Sequence, residues 1–180
     1  LHKFISPSST REIPPEWVIR IIPALLSTFI IPLGGLIQFK LRPNDPIASI
    51  STAGILLTLL PIARHGRLAM LDGTQLSAMA LLWLLLLSLQ NRSFDRLLLL
   101  GAGLTSSFLL LLKAPFLIPA LIAAIIPIYL DTDLKRCFKW PLLKWFGAGV
   151  MPGCAWHIWH GIQRGTNALW LWGSDGAGRV

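Results

Sequence analysis

The chain has 180 residues, of which 54% are hydrophobic and 13% are charged, and its mean hydropathy is +0.65. Because about 25% of the residues of an average soluble domain are charged, this composition excludes an ordinary soluble fold. A net charge of +8 would suit a nucleic-acid binder, but most of the 16 Lys and Arg residues lie between apolar runs instead of forming one basic face. We therefore predict an integral membrane protein that does not bind nucleic acid.

Six apolar stretches are long enough to cross a bilayer as helices. About 20 helical residues span a hydrocarbon core of about 30 Å, and neighbouring helices or a thinner bilayer accommodate shorter stretches. The six stretches cover residues 17–39, 46–62, 73–90, 96–112, 115–130 and 141–159. The sequence therefore predicts an all-α fold, a polytopic transmembrane helical bundle of about six spans.

The apolar run from Leu97 to Leu130 is too long for one span, since a single helix of that length would extend for roughly 50 Å. We predict a break at Lys113-Ala114-Pro115, because proline cannot continue the hydrogen-bond ladder and lysine prefers a polar interface. Small residues four positions apart precede this break, and they predict close packing against another helix. They are Gly101 and Thr105, Ala102 and Ser106, and Gly103 and Ser107.

The basic residues of the loops indicate an orientation in the membrane. The loops of one side carry seven Lys and Arg residues: Lys40, Arg42, Arg92, Arg96, Lys135, Arg136 and Lys139. Those of the other side carry five: Arg64, Arg67, Lys113, Arg164 and Arg179. The positive-inside rule places the first side in the cytoplasm, by a margin that Lys3 and Arg11 would remove. We expect the chain to lie in the plasma (cell inner) membrane. Phosphate binding would explain basic residues on the outer side.

Two charged residues at the ends of apolar runs are candidates for chemistry. Asp72 precedes Gly73 and a Leu-rich span, where it would serve as a general base or ligand-binding carboxylate, or alternatively as a helix N-cap. Lys113 would pair with a lipid phosphate, or alternatively extend toward the polar interface as an ordinary helix-end lysine. Arg20, within the first span, would pair with a carboxylate, or alternatively extend toward the polar interface from a helix end.

The late aromatic segment is the other candidate. His157 and His160 are three residues apart, a spacing that permits binding of a divalent metal. No nearby acidic ligand completes a set, so neither a metal nor another cofactor is predicted. Trp156, Trp159, Trp170 and Trp172 would anchor the chain at the membrane interface or stack on a sugar ring. The two cysteines, Cys137 and Cys154, are predicted to be free thiols.

Four segments carry a family resemblance. They are Glu16-Trp-Val-Ile-Arg20, Arg67-Leu-Ala-Met-Leu-Asp72-Gly73, Leu111-Leu112-Lys113-Ala-Pro115 and Gly176-Ala-Gly-Arg179-Val180. In this order they resemble the membrane glycosyltransferases of the GT-C fold that use a polyprenyl-phosphate-linked sugar as donor, such as protein O-mannosyltransferases and aminoarabinose-transferase-like enzymes.

The resemblance implies a hexosyl or pentosyl glycosyltransferase whose partners are the bilayer, a polyprenyl-phosphate-linked sugar and a lipid, glycan or protein acceptor. Asp72 would be a catalytic carboxylate near the donor's sugar, on the non-cytoplasmic side. Lys113, Arg179 and Arg67 would bind the donor phosphate and stabilise the charge on polyprenyl phosphate as it leaves.

The differences from the family pattern indicate how much of the enzyme these residues represent. The family's main catalytic acid, in a first external loop followed by a Lys-Pro-Pro motif, is missing here, and Gly176 stands where some members have a histidine. We therefore expect residues 1–180 to be part of one transmembrane glycosyltransferase domain, inactive alone, without the N-terminal catalytic loop or any C-terminal soluble domain. The alternative is a non-enzymatic membrane protein, a transporter or assembly subunit, with Asp72 and Lys113 far apart and polar residues lining a path.

Overall fold

Seven α-helical segments account for nearly all of the residues that the computed structural model describes, which are 16–59, 71–89, 95–113, 117–130 and 140–164. They are α1 (Glu16–Thr28), α2 (Ile30–Leu41), α3 (Pro46–Thr58), α4 (Leu71–Leu87), α5 (Asp95–Lys113), α6 (Leu117–Leu130) and α7 (Trp140–Arg164). No β-strand occurs within these ranges. The all-α prediction is therefore confirmed, with a helix in each of the six predicted stretches.

The first predicted span is interrupted at Phe29, which separates α1 from α2. Pro32 explains the interruption, because it has no N–H to donate to the carbonyl of Thr28 one turn earlier. Nearby, the Thr28 hydroxyl donates to the Leu25 carbonyl at 2.7 Å. Phe29 itself keeps helical dihedrals, so the interruption is local. Residues Arg20–Leu41 therefore still form one apolar helix that is long enough to cross a membrane.

The end of α2 and the start of α3 form a helical hairpin. Asp45 caps α3 by accepting a hydrogen bond from the Ala48 N–H at 3.0 Å, and Pro46 occupies the first helical position, which needs no donor. Within the hairpin, the Ser49 hydroxyl donates to the Gly35 carbonyl at 2.5 Å. A Cβ at Gly35 would lie 3.3 Å from the Ser49 carbonyl oxygen, so small residues hold the two helices close together.

The long apolar run ends where proline and lysine predict. Helix α5 stops at Lys113 and α6 begins at Leu117, and residues 114–116 lie outside the described ranges. The predicted break is therefore confirmed. The chain divides into two units, residues 1–80 and 81–180, with the boundary inside α4.

In the second unit, α5 packs extensively against α7. A Cβ added at Gly149 of α7 would lie 2.7 Å from the backbone nitrogen of Leu104, and one added at Gly153 would lie 2.7 Å from the Ser107 hydroxyl oxygen. Ala102 and Ser106 are completely buried. The prediction that small residues of α5 serve close helix packing is confirmed.

Apolar side chains cover much of the exposed surface. Ile47 and Ile50 of α3 are 73% and 74% exposed, and Ile162 of α7 is 75% exposed. Two helices, Arg20–Leu41 and Asp95–Leu112, are long and apolar enough to cross a membrane, and Pro46–Thr58 and Asp72–Leu87 are shorter apolar helices. Exposed apolar surface of this extent is unfavourable in water, and it indicates association with a membrane.

Candidate functional site

Asp72 lies in the first turn of α4 and is exposed. Leu71 already belongs to the helix, so Asp72 is inside it instead of at the N-cap position, and Gly73 is a buried helical residue instead of a turn. The N-cap interpretation therefore does not describe this residue. A carboxylate in the first turn still stabilises the helix, because it lies near the positive end of the helix dipole. Its exposure leaves it accessible to a ligand.

Buried polar residues follow Asp72 along α4. Thr74, Gln75 and Ser77 are 3%, 4% and 5% exposed. The Ser77 hydroxyl donates to the Ser27 carbonyl of α1 at 3.1 Å, whereas the Thr74 hydroxyl oxygen has no hydrogen-bond partner within the described part of the chain. A buried, unpaired hydroxyl is uncommon and costs about 1–3 kcal/mol. Sequence reasoning missed these residues because they carry no charge.

The cations predicted to bind the donor phosphate are described only in part. Lys113 is the last residue of α5, where a positive charge is favourable near the negative end of the helix dipole, and its side chain lies outside the described part. Arg67 and Arg179 both lie outside the described residues. Asp72 belongs to the first unit and Lys113 to the second. Their convergence on one site therefore stays a prediction.

Asp95 is a charged residue that sequence reasoning overlooked. It occupies the first turn of α5 and is only 2% exposed, whereas its neighbour Arg96 is exposed. The helix dipole favours a carboxylate at this position. The sequence offered one signal, an acidic residue shortly before a Leu-rich run, as for Asp72.

The two histidines of α7 have different surroundings. His157 Nε2 lies 3.0 Å from the Leu110 carbonyl oxygen of α5, while the His160 ring stacks on Trp156 with ring centres 5.9 Å apart. Trp156 also contacts Trp159, and both indoles are about half exposed. Among the described residues no group of three His, Cys, Asp or Glu side chains is arranged to hold a metal ion. Cys154 is a free thiol, as predicted, and Cys137 lies outside the described residues.

Comparison of the chain with protein-family models, with curated proteins and with solved structures found no match. The functional assignment therefore depends on the residues themselves and on the chemistry that they offer.

Proposed function

We propose that this chain is part of a multi-pass protein of the plasma (cell inner) membrane, and that it is a GT-C-like glycosyltransferase. It would move a sugar from a polyprenyl-phosphate carrier to an acceptor hydroxyl on the non-cytoplasmic side. The observation that carries this proposal is the position of Asp72, an exposed carboxylate in the first turn of an apolar helix. A carboxylate at this position is favoured by the helix dipole and is available to contact a substrate.

The helices support a membrane protein with about six crossings. Two helices are long enough by themselves, and the shorter apolar helices α3 and α4 would cross in company with their neighbours or where the bilayer is thinner. Helices α6 and α7, in the fifth and sixth predicted stretches, would complete the six crossings. The tight hairpin at Gly35 and Ser49 is typical of helices that pack within a bilayer, where small residues allow close approach. The exposed isoleucines of α3 then face lipid.

The chain order brings the proposed site together on one side of the membrane. In the six-span arrangement, α4 leaves the outer face at Asp72 and α5 returns to it at Lys113, because two successive crossings bring a chain back to the side where it started. Arg67 and Arg179 fall on the same side in this arrangement. A carboxylate for the sugar and cations for the phosphate would thus share one face.

The proposed chemistry is a substitution at the anomeric carbon of the donor. The acceptor oxygen forms a bond to that carbon, the bond from the carbon to the phosphate oxygen breaks, and polyprenyl phosphate leaves with the electron pair. The acceptor proton passes to the main catalytic carboxylate that the family resemblance implies, which is not among these 180 residues. We assign Asp72 to the donor's sugar, and Lys113, Arg67 and Arg179 to the charge that develops on the leaving phosphate.

The alternative, a transporter or assembly subunit, has less support from the described residues. A transport path needs polar side chains that are available to a substrate. The hydroxyls of Thr105 and Ser106 instead donate to carbonyls of their own helix, Gly101 and Ala102, at 2.9 Å each. Ser107 is packed against Gly153. Polar residues in the middle of α5 thus serve helix packing.

The test is a transfer assay on membranes that contain the protein as its gene encodes it. Each of a panel of radiolabelled polyprenyl-phosphate hexoses and pentoses is supplied, and the release of polyprenyl phosphate is measured. We expect Asp72→Asn and Lys113→Ala each to lower the rate by about 100-fold or more, with membrane insertion unchanged.

Two matched variants control for the loss of charge alone. Asp45→Asn removes an exposed carboxylate but keeps an oxygen that caps α3. Lys40→Ala removes an exposed lysine near the end of α2, on the predicted cytoplasmic side. Both should transfer at the wild-type rate. Wild-type rates in Asp72→Asn and Lys113→Ala would reject the site, and no release from any donor would favour the non-enzymatic alternative.

A further inference from the structure

The second unit contains a partly open apolar cavity of about 140 Å³ between four helices. The residues that line it include Leu86 of α4, Leu99 of α5, Leu121 and Ile125 of α6, and Leu143 and Phe146 of α7. All of these side chains are hydrocarbon. The catalytic proposal makes no use of this cavity.

The size and lining of the cavity determine what can occupy it. A water molecule needs two to four polar partners, so a cavity lined only by Leu, Ile and Phe stays dry; one of about 150 Å³ in another protein binds benzene. By that comparison, this cavity has room for a hydrocarbon group of roughly six carbon atoms. Side chains around an empty space lose packing contacts, and an apolar occupant would restore them.

Ile125 is the most exposed of the residues that line the cavity. Ile125 is 42% exposed, whereas Leu86 and Leu99 on other walls are 7% and 4% exposed. The exposed side chains next to Ile125 on α6 are also apolar, since Ile122 and Ile126 are 54% and 55% exposed. A ligand that reaches the cavity past Ile125 therefore crosses apolar surface. In a bilayer, that surface is bathed in hydrocarbon chains.

We propose that this cavity binds a segment of a lipid's hydrocarbon chain, about six carbons long, which enters from the bilayer past Ile125. Both a branched isoprenoid chain and a fatty-acyl chain have this chemistry. The inference requires that α6 faces lipid, which is part of the proposed membrane location. It does not require sugar transfer, so it can fail or succeed independently of the catalytic assignment.

Photo-crosslinking in vesicles tests the proposal. The purified full protein is reconstituted in phosphatidylcholine vesicles that contain one of two probes. One is a phosphatidylcholine and the other a polyprenyl phosphate, each with a diazirine near the end of its hydrocarbon chain. After irradiation, mass spectrometry locates the labelled residues. We expect label on the buried cavity residues Leu86, Leu89 and Leu99 with at least one probe.

Cavity-filling variants separate occupation of the cavity from contact with its outer surface. Ile125→Trp should lower the label on Leu86 and Leu99 by about tenfold, since it removes room for roughly two buried methylenes. Ile122→Trp is the matched control, because Ile122 is exposed on the same helix outside the cavity lining, and it should keep the label. If Ile125→Trp does not elute as a folded protein in size-exclusion chromatography, Leu121→Phe takes its place.

The distribution of label decides the outcome. Label on the buried residues from polyprenyl phosphate alone would identify the chain of the proposed donor as the occupant. Label from both probes, or from phosphatidylcholine alone, would identify membrane lipid in general, and either result supports a hydrocarbon site. Label confined to exposed residues such as Ile122 and Ile126, or unchanged label on Leu86 and Leu99 in the filled variants, would overturn the proposal.

Discussion

Gly103 of α5 and Gly149 of α7 bring the backbones of two helices into direct contact. A Cβ added at Gly103 would lie 2.9 Å from the Gly149 Cα and would collide with the Phe146 carbonyl oxygen. One added at Gly149 would lie 2.5 Å from the Leu100 carbonyl oxygen. Ser107 and Gly153 repeat this close approach four residues later on each helix. Each helix thus contributes two small residues four positions apart, the spacing that allows close packing in membranes.

The first prediction concerns Gly149. We expect Gly149→Ala to lower the free energy of unfolding by about 1–3 kcal/mol, because the added methyl group meets backbone atoms that cannot rotate away. The measurement is unfolding in detergent micelles by titration with dodecyl sulfate, followed by circular dichroism. Gly147→Ala on the same helix is the control, since a Cβ at Gly147 meets nothing within 4 Å.

Gly147→Ala should be neutral or stabilising by up to about 1 kcal/mol, because alanine favours a helix more than glycine does. Equal unfolding curves for the two variants would show that α5 and α7 do not approach each other at Gly149.

The sequence predicts one of the two helix faces that form this contact, the face on α5. The small residues from Gly101 to Ser107 stand out within a Leu-rich run, so they predict a packing face. Their partners Gly149 and Gly153 were not identified, because small residues predict that a helix packs closely but not which other helix it packs against. The break at Lys113 was predictable for a local reason, since Pro115 limits the helix before it. The interruption at Phe29 had a similar local signal in Pro32, which the count of apolar residues overlooked.

The candidate site was less predictable than the helices. Charge at the end of an apolar run identified Asp72, and the structure does place it in the first turn of α4. Thr74 and Asp95 are buried because other segments of the chain cover them. Neither the periodicity of apolar residues nor the spacing of motifs predicts which segments those are. For the same reason the sequence did not reveal the apolar cavity, whose walls come from four separate helices.

The second prediction concerns a hydrogen bond between α4 and α6. The Trp83 indole N–H donates to the Ala120 carbonyl oxygen at 3.0 Å, across 37 positions of sequence. Trp83→Phe keeps an aromatic ring but removes the donor, so we expect the free energy of unfolding to fall by about 1 kcal/mol in the same titration. Trp159→Phe, at an indole that is 54% exposed, is the control and should change it much less. A smaller loss for Trp83→Phe than for Trp159→Phe would contradict the contact.

The third prediction concerns the hairpin of α2 and α3. Because the Ser49 hydroxyl donates to the Gly35 carbonyl, we expect Ser49→Ala to weaken the pairing of these helices by about 1 kcal/mol. Hydrogen exchange followed by mass spectrometry should show faster exchange in peptides from α2 and α3. Ser51→Ala, at an exposed position of α3, should leave their exchange unchanged. Faster exchange in both variants alike would mean that the Ser49 hydroxyl has no special role.

The last prediction tests the six-span arrangement by cysteine labelling. After Cys137 and Cys154 are replaced by serine, single cysteines are introduced as Asn44→Cys, Asn91→Cys and Ala114→Cys. Asn44 lies in the turn between α2 and α3, while Asn91 and Ala114 follow α4 and α5 in the chain. A membrane-impermeant maleimide is then applied to intact cells and, separately, to inverted vesicles.

We expect the cysteines at 44 and 91 to react only in inverted vesicles, because α3 and α4 together cross twice and the positive-inside rule puts this side in the cytoplasm. The cysteine at 114 should react only in intact cells, since α5 adds one further crossing and brings the chain to the outer face beside Lys113. If 44 and 91 react on opposite sides, just one of the two short helices α3 and α4 crosses the membrane. In that case Asp72 and Lys113 lie on the same side of the membrane only if α3 is the helix that does not cross. The side on which the cysteine at 114 reacts is the side of Lys113.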